Sequence, residues 1–378
     1  MPAVVPPSET FAWDKLAFAL YPTSGYVSYT YKDGAWGKAE WVSEPYLKLH
    51  VGSVALNYGA STFEGLKAFR HPDGQVRLFR PKDNAARIQH SAEVVSMPPV
   101  PEELFLEAVS LAVGRNLDLV PPHAPHGASG SMHTVRVLQY VRPLAFASGE
   151  NLILAPPSEF QFIVYVTPTG SLYGTAGLKA PAIDAFVLET FDRAAPRGVG
   201  HAKLAGNYAP TFRHAAAAKQ AGYAITLHLD SATRTQIDEF STSNFLAIKK
   251  RSSSGDDKVT LVVPTSESIL KSVTTKAIIG IAESFGWTVD RRIVKFSEVI
   301  EGDFEEVAAC GTAAALTPIR SITYHDTPET TQNISIGDGV NAGPRFLSIL
   351  SELTGIQSGT IPDKFDWTWP KEGIDGSK

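Results

Sequence analysis

Lys203 lies among small residues in the segment RGVGHAKLAGNYAP, which covers positions 197–210. A lysine surrounded by glycine and alanine loses solvation of its charged form, so its amine becomes more nucleophilic. Small neighbours also allow a flat molecule to approach the backbone. The segment alone is more typical of a surface loop, and Gly198 and Gly200 lack the third glycine of a dinucleotide-binding turn. Lys203 is therefore a candidate nucleophile that needs partners elsewhere in the chain.

Three other segments could bind a phosphate group. Arg80 stands directly before a proline, where a guanidinium could be held rigidly for two-point contact with an anion. Val273 and Thr274 lie where a helix is expected to begin, and free N–H groups there favour an anion. Thr312 follows a glycine in a turn that exposes backbone N–H groups. Each segment also has an ordinary interpretation, namely a surface arginine, a helix cap and a tight turn.

Glu239 is a carboxylate between a turn and the strand-like segment that contains Asn244. A carboxylate beside a pyridine nitrogen would keep that nitrogen protonated and make the ring a better electron acceptor. A solvated turn carboxylate explains the same pattern. Spacing alone therefore collects a plausible set of residues without naming a cofactor.

The elements that must position these residues follow from the apolar periodicity. A helix is expected over 102–114, and Asp83 is expected to cap another that runs to about Val95. A third helix is expected to start at Pro210 and to stop at Gly222. Thr274 or Thr275 should open a fourth. Alternating or continuous apolar runs predict strands or hairpins at 24–42, 66–69, 76–79, 134–142, 160–167, 223–230 and 244–249.

A change of composition suggests two domains. Residues 168–182 are rich in glycine, proline and alanine, which is typical of a connection between domains. We expect a smaller N-terminal α/β domain over 1–167 and a larger C-terminal domain over 183–378. The length of 378 residues agrees with two domains at about 150 residues each.

Bulk composition points to a protein that acts on small molecules. The net charge is -5, which gives no global attraction for nucleic acid. One cysteine, Cys310, allows neither an intrachain disulfide nor a cysteine-rich metal site, so no metal is expected. No apolar run reaches the ~18 residues of a membrane span, and no secretory or mitochondrial signal pattern is visible. These features lead us to expect a cytoplasmic protein.

Six segments, taken together and in order, resemble the motif series of the branched-chain aminotransferases. That family belongs to the fold-type IV enzymes that depend on pyridoxal phosphate (PLP), and the resemblance extends from about residue 20 to about 355. It implies an α/β (α+β) fold with two α/β domains, an active site in the cleft between them, and a homodimer. The segments are NYGASTFEGLKAFR (57–70), LFRPKDNAARI (78–88), YVRP (140–143), HAKLAGNY (201–208), IDEFSTSNF (237–245) and FEEVAACGTAAALTPIRSI (304–322).

The resemblance implies a role for each cofactor-contacting residue. Lys203 matches the lysine that forms the Schiff base with PLP, Tyr208 matches the tyrosine that bonds its phenolic oxygen, and Glu239 matches the partner of its pyridine nitrogen. Leu270 matches the leucine that packs on the ring face. The positions that match phosphate ligands are Arg80, Val273, Thr274 and Thr312.

The substrate pocket is also implied by the resemblance. The amides around Ala313 and Ala314 match those that receive the substrate carboxylate, and Arg142 matches the residue that receives the side-chain carboxylate of glutamate. The other matching pocket positions are Tyr58, Phe63 and Tyr140, of which Tyr58 is near the expected dimer interface. Two positions depart from the family pattern: Ala205 replaces a glycine, and Cys310 lacks the second cysteine of a redox Cys-x-x-Cys pair.

The activity implied is transfer of the amino group of branched-chain L-amino acids to 2-oxoglutarate. The alternatives within the same fold type are an (R)-selective amine or D-amino-acid transaminase and an aminodeoxychorismate lyase. An arginine at 142 favours the branched-chain activity because it suits alternation with a dicarboxylate. A PLP-binding protein without catalysis is a further alternative, which the complete set of matching residues disfavours.

Overall fold

The chain is described here by a computed structural model, in which two compact units are distinct. Unit 1 consists of Met1–Ser171, Ala202–Gly206 and Gly355–Lys378. Unit 2 consists of Leu172–His201 and Asn207–Thr354. The structure describes residues 2–123, 138–170, 182–250, 258–313, 315–327, 329–339 and 342–377.

This division corrects the expected domain boundaries in two places. We expected the whole of 183–378 to form the second domain, but 202–206 and 355–378 belong to unit 1. The short first segment contains Lys203, so the candidate nucleophile is part of the N-terminal unit. The expected connection at 168–182 begins inside a strand that ends at Thr169, and 171–181 lies outside the described residues.

Unit 1 is built on a nine-stranded sheet. The strand order is β18-β6-β5-β7-β8-β1-β2, with β3 on β1 and β4 on β7, in the numbering that follows. The strands are β1 Tyr26–Lys32, β2 Ala35–Trp36, β3 Glu40–Val42, β4 Ser61–Phe63, β5 Leu66–Arg70, β6 Val76–Phe79, β7 Leu138–Phe146, β8 Phe160–Thr169 and β18 Thr368–Trp369. The helices are α1 Val54–Tyr58, α2 Pro81–Val94 and α3 Glu102–Gly114.

The core of unit 1 explains why α3 matches its predicted bounds. Phe105, Val109 and Val113 are fully buried at helical spacing, and they pack with Phe162 and Leu78 of the sheet. Full burial of a large apolar side chain contributes about 1.5–3 kcal/mol. The apolar stripe alone therefore determines where this helix lies.

The start of α2 differs from its prediction. Asp83 was expected to cap this helix, but the helix begins at Pro81 with Arg80 in the capping position. Arg80 has left-handed backbone angles, φ 54° and ψ 45°, and Asp83 instead pairs with its side chain. A proline at the first helical position agrees with the usual preference there.

Unit 2 is built on a second nine-stranded sheet, of order β11-β10-β9-β16-β15-β12-β13-β14 with β17 on β16. Its strands are β9 Ile183–Val187, β10 Ile225–Leu229, β11 Ile237–Phe240, β12 Ser243–Lys249, β13 Thr260–Pro264, β14 Thr288–Arg292, β15 Phe304–Gly311, β16 Ala315–Thr327 and β17 Thr330–Ser335. Its helices are α4 Phe212–Gln220, α5 Val273–Ser284, α6 Ser297–Ile300 and α7 Pro344–Ser358, the last of which crosses the unit boundary at 355.

Several predicted elements of unit 2 are confirmed. Strands β10 and β12 lie within one or two residues of their predicted ranges, and α5 begins at Val273. Pro210 is the exception: it lies in a short 3-10 turn, Ala209–Thr211, and the α-helix begins after it at Phe212. Gly222 has φ 92°, which a glycine adopts without strain, and so it ends this region as expected.

Candidate active site

Lys203 is fixed by its backbone to strand β4 and helix α2 of unit 1. Thr62 Oγ1 donates to the Lys203 carbonyl at 2.9 Å, and the Phe63 N–H donates to the same oxygen at 3.2 Å. The Lys203 N–H donates to Ser91 Oγ at 2.9 Å. These bonds leave the half-buried side chain to project over Phe63, whose ring centroid is 4.5 Å from Nζ. The backbone of this segment is therefore fixed to unit 1, and the segment is not a loose surface loop.

Arg142 joins Lys203 on the same aromatic ring. Its guanidinium carbon is 4.9 Å from the Phe63 ring centroid and 5.2 Å from that of Tyr140. One terminal nitrogen donates to Tyr140 Oη at 3.3 Å. Burial lowers the pKa of Arg142, but the neighbouring Tyr140, Tyr165 and Glu64 oppose this, and the net pKa is raised. Arg142 is therefore a permanent cation.

Tyr140 can occupy its place only because residue 65 is a glycine. A Cβ added to Gly65 would lie 1.9 Å from Tyr140 Oη, which no side chain could tolerate. The ring of Tyr140 also receives the edge of Phe18 at 5.7 Å. Unit 1 thus gathers a lysine, an arginine and aromatic rings, and three of these positions, Phe63, Tyr140 and Arg142, were predicted as substrate contacts.

A buried carboxylate that the sequence reasoning missed supports this cluster. Glu64 is fully buried, accepts from Arg87 Nε at 2.6 Å and Nη2 at 2.7 Å, and accepts from Asn84 Nδ2 at 2.7 Å. A two-point arginine–carboxylate pair is geometrically specific. Because Glu64 follows Phe63 directly, the pair fixes the strand that presents this ring. Glu64 lies between β4 and β5 within the quoted segment 57–70, but the family resemblance assigns it no role.

Arg80 is buried at the start of α2, with 7% of its surface exposed. Its Nε donates to Asp83 Oδ2 at 2.6 Å, and its guanidinium carbon lies 4.8 Å from the Trp367 ring centroid. These contacts hold the guanidinium in one place. Among the described residues no second carboxylate pairs with it, so N–H donors remain for an anion. The predicted anion-binding role of Arg80 is compatible with this geometry.

Glu239 is the central charged group of unit 2. It lies on β11 opposite Asn244 of β12, and only 3% of its surface is exposed. Its Oε1 accepts from Arg193 Nη1 at 2.6 Å and from the Leu270 N–H at 3.3 Å, while Oε2 accepts from Asn244 Nδ2 at 3.0 Å. Removing a carboxylate from water is costly unless such donors replace it. The carboxylate is therefore fixed in position.

Arg193 is the principal residue of unit 2 that the sequence reasoning missed. Its side chain is 4% exposed, and its guanidinium carbon lies 5.9 Å from the ring centroid of Tyr208. One cation therefore contacts both Glu239 and Tyr208, the predicted partners of the pyridine nitrogen and the phenolic oxygen. Nothing in the surrounding residues 190–196 distinguishes this arginine from one in an ordinary loop.

The predicted phosphate contacts of unit 2 lie at the start of α5. Val273 and Thr274 are its first residues, and Ser272 caps it by accepting from the Thr275 N–H at 3.1 Å. Thr275 Oγ1 donates to Asn244 Oδ1 at 3.0 Å, so the helix start is tied to the residue that holds Glu239. Leu270 is placed by both of its backbone groups, because its carbonyl also accepts from Asn244 at 3.2 Å.

The turn between β15 and β16 lies at the same end of the unit 2 sheet. Cys310 pairs with Asn244 across β15 and β12, and Thr312 and Ala313 follow within three residues. The register therefore brings this turn to the Glu239 end of the sheet. Thr312 and Ala313 are half-buried, and Ala314 lies outside the described residues.

Tyr58 does not join the aromatic cluster of unit 1 through any described contact. It ends α1, is partly exposed, and its hydroxyl donates to the Leu152 carbonyl at 2.9 Å. Exposed apolar side chains also occur nearby in the sequence, at Val51 and Leu56, and in the segment that contains Leu152, at Ile153 and Leu154. Its predicted place in the substrate pocket stays a prediction.

The family follows from comparison with known proteins. The family model described as amino-transferase class IV matches residues 61–322. Transaminase AMT5 of Alternaria alternata is 45% identical over 363 residues, which cover 96% of this chain and 92% of the relative. The branched-chain amino acid aminotransferase gloG of Glarea lozoyensis is 40% identical over 367 residues, with 96% of each chain covered. This chain therefore belongs to the class IV aminotransferases.

A solved structure agrees with the fold. The branched-chain amino acid aminotransferase of Escherichia coli is 27% identical, with a TM-score of 0.71 over 90% of this chain and 98% of that one. The protein has the fold-type IV aminotransferase fold, and it acts on amino acids and 2-oxo acids. Enzymes of this class use PLP.

The described residues fit PLP chemically. The cofactor needs an amine for covalent attachment, a carboxylate for a protonated ring nitrogen and N–H donors for a phosphate. Lys203 supplies the first, the buried Glu239 the second, and Arg80 with the start of α5 the third. Among the described residues, no cluster of His, Cys, Asp and Glu could hold a metal ion, and no helix has the length and apolar character to span a bilayer.

Proposed function

We propose that this enzyme transfers the amino group of leucine, isoleucine and valine to 2-oxoglutarate. The observation that carries the proposal is the cluster of Phe63, Tyr140 and Arg142 beside the Lys203 amine. Aromatic faces suit a branched apolar side chain, and a permanent cation suits the second carboxylate of glutamate. The relatives named branched-chain aminotransferases support the same assignment.

Lys203 performs the proton transfer in this proposal. PLP, when bound, supplies an electron-accepting ring for the charge that develops at the substrate Cα. Nζ of Lys203 takes the proton from that carbon as general base and returns it as general acid. The backbone bonds to Thr62 and Ser91 set the position from which the Lys203 side chain reaches the substrate.

The remaining residues hold and orient the cofactor and the substrate. Glu239 keeps the ring nitrogen protonated, Tyr208 bonds the phenolic oxygen, and Leu270 packs on the ring. The amides at Ala313 and Ala314 receive the substrate carboxylate, and Arg142 receives the side-chain carboxylate of 2-oxoglutarate. The phosphate is held by Arg80, Val273, Thr274 and Thr312.

We also propose that the enzyme acts as a homodimer. The exposed apolar side chains around Tyr58, which include Leu152, Ile153 and Leu154, are more than 70% exposed at those three positions. Three consecutive apolar side chains exposed to this extent are typical of a subunit interface. Light scattering of wild type and Leu154→Asp tests this: a dimer that the charge weakens supports the proposal, and a wild-type monomer at micromolar concentration contradicts it.

A half-reaction panel tests the substrate class. The PLP-loaded enzyme is mixed separately with L-leucine, L-isoleucine, L-valine, D-alanine and (R)-1-phenylethylamine, and the visible band of the cofactor is followed. Fast loss of the band with the three branched L-amino acids supports the proposal. Fast loss with D-alanine or the (R)-amine instead assigns the enzyme to another fold-type IV activity.

A further inference from the structure

Arg80 has a backbone conformation that something else must hold in place. Its φ of 54° lies in the left-handed region, which is unfavourable for a residue with a side chain. The Arg80 N–H donates to the carbonyl of Trp367 at 2.7 Å. Trp367 lies in the segment Gly355–Lys378, which returns to unit 1 after the whole of unit 2. The conformation is therefore maintained by a residue very distant in sequence.

Trp367 also contacts the Arg80 side chain. The guanidinium carbon is 4.8 Å from the indole centroid, a distance at which the ring face attracts a cation. Asp83 also holds the guanidinium, because its Oδ2 accepts from Nε at 2.6 Å. An arginine side chain has several rotatable bonds, and fixing it before a ligand arrives removes part of the entropic cost of binding. Trp367 and Asp83 thus orient the guanidinium of Arg80 before a ligand binds.

Trp367 is itself held rigidly. Its ring stacks on Phe365 at 4.1 Å with an interplanar angle of 8°, and Phe79 meets it edge-on at 5.8 Å. Asp363 folds the backbone around it: Oδ2 accepts from the N–H groups of Trp367 at 2.8 Å and Thr368 at 2.7 Å. Strand β18 then pairs with β6, which ends one residue before Arg80. Hydrogen bonds and ring contacts therefore connect the indole of Trp367 to strand β6.

We propose that Trp367, held by Asp363, is a positioning residue that orients Arg80 for the phosphate of PLP. The inference rests on the proposed role of Arg80. It adds that the C-terminal segment of the chain determines cofactor affinity through that arginine, without touching the cofactor itself. Replacing Trp367 is therefore expected to cause a selective loss of affinity for the phosphorylated form of the cofactor.

The test compares equilibrium binding of PLP with that of pyridoxal, which lacks the phosphate, by spectroscopic titration of the apoenzyme. Trp367→Leu keeps apolar bulk without an aromatic face, whereas Trp367→Phe keeps a ring. We expect Trp367→Leu to weaken PLP binding about tenfold, as loss of one cation–ring contact would, and to leave pyridoxal binding unchanged. Trp367→Phe should restore most of the affinity. In an Arg80→Gln background the Trp367→Leu effect should vanish.

Trp369→Leu is the matched control, because it makes the same change two residues along the strand at a tryptophan that packs on the unit 1 core. It should leave the ratio of the two affinities unchanged, whatever its effect on stability. Equal weakening of PLP and pyridoxal by Trp367→Leu would show a merely structural role and overturn the inference, as would no weakening of either.

The experiment also separates this inference from the proposed function. If Arg80→Gln lowers PLP affinity selectively and Trp367→Leu does not, only the inference about Trp367 is overturned. If Arg80→Gln leaves the ratio of PLP to pyridoxal affinity unchanged, Arg80 does not bind the phosphate, and the inference fails with that assignment. A wild-type enzyme that binds no PLP would refute the proposed function itself.

Discussion

The two units hold their charged groups in different ways. In unit 1, the charges of Lys203 and Arg142 lie against the faces of Phe63 and Tyr140 at 4.5 to 5.2 Å. In unit 2, Glu239 is fixed by three hydrogen bonds of 2.6 to 3.3 Å. A ring face attracts a cation without directing it to one point, whereas short hydrogen bonds set both distance and angle. The hydrogen bonds of Glu239 therefore fix its position more strictly than the ring contacts fix the side chains of Lys203 and Arg142.

The largest expected effect concerns the residue of unit 1 that must move a proton. Lys203→Ala should lower turnover by about 10⁴-fold or more, because general acid–base catalysis alone contributes roughly 10²–10⁴-fold and covalent attachment is lost as well. Stopped-flow measurement of the half-reaction with L-leucine checks this. Turnover within about tenfold of wild type would mean that another group transfers the proton.

A pH measurement probes His228, a buried histidine of unit 2 whose pKa is affected by Arg193. Burial, and after it the neighbouring Arg193, lowers the pKa of His228 to about 3 from its ordinary 6.5, while the Phe191 backbone opposes this and His214 adds to it. The unfolded chain then binds more protons below pH 6.5, so the stabilising contribution is present above that pH and is lost as the pH falls toward 3. Its size is on the order of 5 kcal/mol.

His228→Gln should therefore flatten the pH dependence of the unfolding free energy between pH 4 and 6.5, as measured by urea denaturation. In unit 1, burial and then Arg77 lower the pKa of His71 to about 4, a smaller shift. His71→Gln should flatten the same curve less. The exposed His50→Gln is the control for both, and an equal effect of all three variants would contradict the contrast.

Removing one partner of the ion pair in unit 2 should cost more stability than removing the ring contacts of Arg142 in unit 1. Glu239→Gln leaves Arg193 buried without its carboxylate and should lower the unfolding free energy of the apoenzyme by about 3 kcal/mol. The double variant Glu239→Gln/Arg193→Met should recover much of this loss, because no buried charge remains. Arg142→Met in unit 1 should cost about 1 kcal/mol. Denaturant titration measures all three, and equal costs for the two single variants would refute the comparison.

The smallest expected effect is confined to one substrate. Arg142→Gln should raise KM for 2-oxoglutarate by about 10–100-fold, since a charge-assisted contact is worth about 1.5–3 kcal/mol, and should leave the half-reaction with L-leucine nearly unchanged. Arg115→Gln is a suitable control, because Arg115 also lies over an aromatic ring, that of Trp41, at 5.1 Å. Equal losses with both substrates would remove Arg142 from substrate recognition.

The sequence predicts an element well where local pattern determines it. Helix α3 lies at its predicted bounds because its apolar stripe coincides with the buried face. Asp83 fails as a cap because Trp367 holds Arg80 in the capping position, and no local rule contains a contact over that separation. The return of 355–378 to unit 1 is invisible for the same reason, since β18 is only two residues long.

The candidate site shows the same division between motif and support. Residues that match the family motifs, such as Glu239 and Arg142, lie where charged contacts are dense. Their supports, Arg193 and Glu64, stand in segments whose composition is ordinary, so only the folded arrangement identifies them. Family motifs therefore identify the reactive groups but not the residues that fix their positions.

The discontinuity of unit 1 has a consequence for synthesis on the ribosome. Arg77 donates to the carbonyl of Lys371, a residue 294 positions later. At elongation rates of 5–20 residues per second, roughly 15–60 s separate the appearance of the two residues. During the first part of that interval unit 1 lacks Lys203, and throughout it lacks the strand that borders β6, so the first unit to emerge is the last to be completed. The exposed edge of β6 is then a place where a chaperone could bind the nascent chain.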